Sequence, residues 1–127
     1  MRAGNACEYC RMLQAATPLI PFHVEHIISK QHGGTDDATS LALACDRCNA
    51  YKGPNLTSID PDTRTLVALF NPRRDVWSQH FRWINAGLHI EGLTPVGRAT
   101  VVALKLNLRI RVIARRAWVI GWHPPRD

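Results

Sequence analysis

Apolar and polar positions change their spacing several times along these 127 residues, and each change marks an element. Phe22 to Ile28 is rich in β-branched residues and bounded by Pro21 on one side and Ser29-Lys30 on the other, which predicts a short strand. Leu41-Ala42-Leu43-Ala44 predicts a second. Between them His32-Gly33-Gly34-Thr35-Asp36-Asp37 forms a loop whose glycines admit backbone conformations closed to other residues. Asp46 is placed as the N-cap of a short helix that carries Asn49 and Lys52 and stops at Gly53-Pro54. Upstream, Arg11 to Thr17 allows a turn or two of helix before Pro18 and Pro21 break it.

Beyond Pro54, Leu56 to Ile59 and Thr65 to Phe70 read as two strands of a hairpin, joined through the turn opened by Asp60-Pro61. Val76 to Trp83 places Trp77, Phe81 and Trp83 at a spacing that fits neither helix nor strand; these aromatics are read as core in preference to base-stacking platforms, and His80 as structural rather than catalytic. A turn at Ala86-Gly87 precedes a strand over Leu88 to Leu93. Thr94-Pro95 is a helix start, with Thr able to cap and Pro preorganised at the first helical position. That helix is expected to run to about Asn107, with Val96, Ala99, Val102, Ala103 and Leu106 on one face. A second helix is placed from about Leu108 to Ile120, although Arg109 and Arg111 alternate with apolar neighbours as a strand would. Pro124-Pro125 marks a frayed end.

Composition narrows the class without naming a function. A hydrophobic share of 46% with 20% charged residues is ordinary globular composition, and the length suits one compact domain. No apolar run is long enough to span a bilayer, and no apolar secretory signal opens the sequence, so a reducing cytoplasm and no membrane partner are expected. Net charge is +6, unevenly spread: residues 1–63 hold five Lys/Arg against seven Asp/Glu, and residues 64–116 hold ten against two. A basic surface of that kind attracts polyphosphates, nucleic acid above all; a solvated basic face with no function accounts for the charge equally well. Arg98, Lys105, Arg109, Arg111, Arg115 and Arg116 are expected to form it.

The chemistry is concentrated in the first half. Cys7 and Cys10 bracket a two-residue turn that lets both sulfurs converge on one ion, and Cys45 and Cys48 repeat the spacing. Two such knuckles make a four-thiolate tetrahedral Zn²⁺ site, closed to water and therefore structural. Two buried redox pairs are the alternative, without other cysteine-rich sequence to support it.

Glu25-His26-Ile27, then His32-Gly33-Gly34, then a polar residue before Leu41, then Cys45-x-x-Cys48-Asn49-x-x-Lys52-Gly53 resembles the HNH endonucleases, in particular the zinc-knuckle-bearing bacterial HNH proteins. The close match covers Cys7 to Gly53. The runs from Leu69 to Trp83 and from Gly92 to Val101 also resemble the C-terminal extension of a group of small bacterial HNH proteins. The resemblance implies an α+β fold with a ββα-metal (HNH, or His-Me finger) core, four-cysteine zinc knuckles and a C-terminal strand-plus-helix extension. Residues 1–54 would be the zinc-stapled nuclease core and 55–127 the extension with hairpin and basic helices, packed together as one compact domain.

It also implies a metal-dependent endonuclease hydrolysing phosphodiester bonds in DNA, with RNA as a further substrate class. His26 would be the general base, and Glu25 and Asn49 would hold a catalytic divalent cation, Mg²⁺ or Mn²⁺ given their oxygen donors. The asparagine that braces the base in this family is missing; its place falls at Ser40, whose single hydroxyl offers less than an amide. A non-catalytic zinc-stabilised nucleic-acid-binding module is the competing expectation. Lys52 is a candidate phosphate contact or a solvated helix-end lysine, and His32 a phosphate contact or a loop brace. His23 is either a supporting ligand or a satisfied core histidine, and is taken as the latter. One difficulty is geometric: neighbours on a regular strand face opposite sides, so Glu25 and His26 share a cleft only if the strand bends or ends there.

Overall fold

A computed structural model of the chain describes residues 5–117. Its elements are short and alternate between strand and helix: β1 (His23–His26), β2 (Leu41–Ala44), α1 (Asp46–Lys52), β3 (Thr57–Ile59), β4 (Leu66–Ala68), α2 (Trp77–His80), β5 (Phe81–Ile84), β6 (His89–Gly92), α3 (Pro95–Ala103) and α4 (Arg109–Ala117). The strands form three separate antiparallel pairs, β1 with β2, β3 with β4 and β5 with β6. No helix among the described residues is long and apolar enough to cross a membrane. The expected end of α4 at Ile120 and the Pro124-Pro125 segment lie outside the described residues.

The first pair sets up the site. β1 and β2 run in register from His23 opposite Ala44 to His26 opposite Leu41, and α1 follows β2 at once and packs on both strands. The alternation is half-buried: Ala42 and Ala44 point inward, as does Glu25. The helix is capped differently from the expectation, by Cys45 rather than Asp46: the Cys45 sulfur accepts the Cys48 N–H at 3.4 Å. A knuckle cysteine has its sulfur turned back over the following amides, so it serves as both ligand and cap. Gly53 ends the helix with φ of 49°, a conformation that favours glycine.

The aromatic run that fitted no period belongs to two elements. Trp77–His80 is one helical turn and Phe81–Ile84 a strand, so the side-chain repeat changes in the middle. Trp77 and Phe81 are buried with ring centroids 5.1 Å apart, and Phe70 stands edge-on to Phe81 at 5.2 Å. His80 donates to or accepts from the Thr94 hydroxyl at 2.6 Å, a structural role as expected. Thr94 also accepts the Gly97 N–H and caps α3, which begins at Pro95 and stops at Ala103, a turn earlier than the apolar spacing indicated. A side chain at Gly97 would place its Cβ 2.0 Å from the His80 carbonyl oxygen, so glycine there lets α3 lie directly against β6 and the end of α2.

The two halves share one core. Cys7, Tyr9 and Cys10 pack in the same buried cluster as Phe70, Trp77 and Leu106. The Trp77 indole N–H donates to the Tyr9 carbonyl at 2.8 Å, Arg73 pairs with the buried Glu8 carboxylate, and Glu8 also accepts the Leu43 N–H at 2.7 Å.

The β3–β4 hairpin is pinned to α3 by Asp60. Its carboxylate is fully buried and accepts two hydrogen bonds from Arg98, each 2.9 Å, with others from the Asp62 N–H and the Thr63 hydroxyl. The Arg98 guanidinium holds the Asp60 carboxyl well below the usual aspartate range. The stability it contributes is therefore intact above about pH 4, where an unfolded aspartate ionises, and is lost as pH falls through the lower folded value. Thermal melts across that acid range are expected to show a falling Tm for the wild type. Asp60→Asn should melt several degrees lower at neutral pH and lose most of this acid dependence.

Candidate zinc centre and adjoining hollow

Cys7, Cys10, Cys45 and Cys48 converge from the N-terminal turn and from the start of α1, all four buried and unbridged, with ligand atoms within 4.8 Å of one another. The Cys10 and Cys45 sulfurs are 3.7 Å apart. That is too long for a disulfide, and it matches the roughly 3.8 Å edge of a tetrahedron with Zn–S bonds of about 2.3 Å. Burial pushes the Cys7 and Cys48 thiols well above their ordinary range, while hydrogen bonds from Cys45, Cys48 and Cys7 pull Cys10 down. Four thiolates can stand together in that setting only when a cation offsets them. The donor set and spacing fit a structural Zn²⁺, and the redox-pair alternative has no support in this geometry.

Arg111 and Arg115 were expected on a phosphate-facing surface, and the structure corrects both. They lie one turn apart on α4 and point inward: Arg111 is 1% exposed and Arg115 7%. Arg111 donates to the Cys48 sulfur at 3.0 Å and to the Leu104 carbonyl at 2.8 Å. Arg115 donates to the Leu88 and Leu106 carbonyls at 2.9 and 2.7 Å. Burial pulls the Arg111 guanidinium down, but the neighbouring thiolates outweigh it and hold it above its ordinary value. The alternation that mimicked a strand is thus an inverted helix, with arginines inside because the acceptors are there and Ile110 and Ile113 exposed.

Beside the centre lies an open hollow of about 510 Å³ lined by Val24, Glu25, His26, Ser29, Lys30, Asn49, Gly53 and Pro54. It gathers Glu25, His26 and Asn49, the three residues expected to act together. The geometric difficulty resolves because β1 ends at His26, so the chain turns where the two side chains must share a space. Glu25 is buried, hydrogen-bonded by the Tyr9 hydroxyl and 3.9 Å from the Lys52 ammonium. Burial raises its carboxyl above the ordinary glutamate range, against the opposing pull of Lys52 and the Tyr9 hydrogen bond. Asn49, one turn into α1, is half-buried, and its side-chain amide has no hydrogen-bond partner among the described residues.

Residues 7–55 match the HNH endonuclease family model. The chain therefore carries an HNH segment, of nuclease or nucleic-acid-binding type, that holds all four cysteines and every residue named around the hollow. Comparison with curated proteins and with solved structures gave no match.

Within and beyond the HNH segment, the other expected residues fall out unevenly. Lys52 is neither a phosphate contact nor a solvated helix end: it is 2% exposed, and its ammonium donates to the Ile27 carbonyl at 2.8 Å. Burial lowers its proton affinity and Glu25 partly restores it. His23 is exposed rather than part of the core and meets Asp46 at 3.2 Å. Arg98 is committed to Asp60 and Asp62. Ser40 stands outside the hollow, its hydroxyl 3.1 Å from that of Thr35 across the glycine loop. His32 and Arg109 are exposed and remain available to a partner. Tyr9, Lys30 and Asp36 were not singled out from the sequence. Tyr9 is fixed by its place between the two cysteines of a knuckle, a signal that was legible; Lys30 and Asp36 depend on how the glycine loop folds back, which was not.

Replacing Arg111 by Met keeps volume while removing the charge beside the thiolates. Partners of this kind typically alter metal affinity about 10- to 100-fold. Arg111→Met is expected to lose zinc to a competing chelator about that much more readily, and the wild type to show a lower Tm once zinc is stripped.

Proposed function

We propose that the HNH segment forms a ββα-metal nuclease that hydrolyses phosphodiester bonds in DNA, with β1, β2 and α1 as its three elements. The observation that carries the reading is the shared hollow: a histidine, a carboxylate and an amide on one open surface, with Lys30 beside them. An open, shallow site suits a polymer strand better than a small molecule.

His26 takes a proton from a water molecule as the water oxygen attacks phosphorus, and the bond to the 3′-oxygen breaks; that oxygen then collects a proton from solvent. Lys30 and the exposed Arg109 attract the phosphate backbone without reading bases. Glu25 and Asn49, which both line the hollow, are the residues that would hold a divalent cation. Two neutral or anionic oxygen donors favour Mg²⁺ or Mn²⁺ over a second zinc. Such an ion, when bound, polarises the phosphate and offsets charge on the departing oxygen. Tyr9 and Lys52 hold the Glu25 carboxylate at the edge of the hollow, and both favour its ionised form against the effect of burial.

A second reading, a zinc-stabilised nucleic-acid-binding module without cleavage, draws on Ser40 in place of the family asparagine. Plasmid nicking with Mg²⁺, Mn²⁺ or Ni²⁺ separates the two, and an RNA substrate in the same assay tests that class. The wild type is expected to nick DNA, and His26→Ala to lose about 10²- to 10⁴-fold in rate, the usual contribution of a general base, with zinc content unchanged. Binding without cutting in all three metals would leave only the module.

A further inference from the structure

We infer that Asp36 is the positioning residue of His26, accepting a hydrogen bond from Nε2–H so that Nδ1 is the nitrogen left to take a proton from water. The inference rests on the nuclease reading of the same site. The Asp36 carboxylate lies 2.8 Å from His26 Nε2. A neutral imidazole has one donor nitrogen and one acceptor, and an ionised carboxylate can only accept, so this contact selects the Nε2–H form. Asp36 is not among the residues that line the hollow with His26.

The backbone brings it there by an enforced path. Gly33 takes a φ of 90°, and a Cβ at Gly34 would sit 1.7 Å from the Ile28 carbonyl oxygen, so only glycine lets the loop fold against the end of β1. The Gly34 N–H donates to the Ser29 carbonyl at 2.9 Å and the Ser40 N–H to that of Asp37 at 2.8 Å, which fixes the chain on both sides of Asp36. Lys30, 3.1 Å from the same carboxylate oxygen, favours its ionised form. The His26 hydrogen bond and then Lys30 hold the Asp36 carboxyl below the usual range.

Asp36 also answers the missing asparagine. Ser40 occupies that position and spends its hydroxyl on Thr35, so the brace acts on the loop and does not touch the base. Asp36, one residue from Thr35, supplies a direct hold on the imidazole from the same loop. In the reaction the carboxylate stays ionised: the water proton moves to Nδ1, the ring becomes a cation stabilised by Asp36, and that proton later passes to solvent.

Asp36 is largely exposed, so its role is orientation and its removal should leave Tm and zinc content unchanged. The test compares Asp36→Ala and Asp36→Asn with the wild type in plasmid nicking and in ¹⁵N spectra of the His26 ring. Asp36→Ala is expected to lower kcat about 10- to 100-fold, the range for residues that orient a reacting group, with KM for DNA unchanged. Asp36→Asn, which keeps an oxygen acceptor, should recover most of the rate. The wild-type ring should be the Nε2–H form and the alanine variant a mixture of tautomers. Wild-type kcat in Asp36→Ala, or a wild-type ring already mixed, overturns the inference. Should the wild type cut nothing, the nuclease reading fails first, and the ring spectra still decide whether Asp36 fixes the imidazole.

Discussion

Four sulfurs brought within bonding range of one ion, and sealed from water, create an electrostatic requirement that the rest of the chain answers. A zinc ion with four thiolates carries excess negative charge, and a charge of that kind away from solvent needs a partner of opposite sign. Arg111 meets it directly from a helix sixty-three residues beyond Cys48, and Arg115, one turn later, ties that helix to the Leu88 and Leu106 carbonyls. The charge therefore joins the two ends of the described chain. A hydrophobic contact could have done so too, but without a preference for this register of α4, since only an arginine at position 111 reaches both the Cys48 sulfur and the Leu104 carbonyl.

The same cluster sets the hollow. Cys45 caps α1, and the Asn49 N–H donates back to the Cys45 carbonyl at 2.9 Å, so the Asn49 amide stands one helical turn from a zinc ligand. Tyr9 sits between Cys7 and Cys10 and reaches Glu25 with its hydroxyl. Glu25 and Asn49, the residues proposed to hold a cation, are thus referenced to sulfurs rather than to a large core, which matters in a chain whose strands are three or four residues long. His26 is referenced differently, through the glycine loop and Asp36, so a change in that loop would move the imidazole and leave Glu25 and Asn49 in place.

What was legible in the sequence tracks how local the cause is. The knuckles, both first-pair strands, the β3–β4 hairpin and the Thr94-Pro95 start of α3 follow from spacing, caps and turn residues within a few positions of one another, and all are present. The Trp77–Trp83 run was opaque because a helical turn and a strand meet inside it. Arg111, Arg115 and Lys52 were misplaced for a shared reason. Charged residues are usually outside, and the exceptions are set by acceptors that only the folded chain assembles: thiolates, the Leu88 and Leu106 carbonyls, and the carbonyl at Ile27. At the site, the gathering of Glu25, His26 and Asn49 was anticipated from the family pattern, whereas Asp36 was not, because its reach depends on the conformation of two glycines.

That misplacement changes how the net charge of +6 should be understood. By sequence the basic second half reads as a nucleic-acid surface, yet part of its charge is internal: Arg111 answers sulfur, Arg98 answers Asp60 and Asp62, and Arg115 answers backbone carbonyls. Only exposed cations release counterions from a phosphate backbone, so the salt dependence of binding should reflect residues such as Lys30, Arg109 and Arg116 rather than the formal total. Two populations of arginine follow from one composition. The inner one is answerable to acceptors within the fold, the thiolates, Asp60 and backbone carbonyls, and the outer one is left facing solvent.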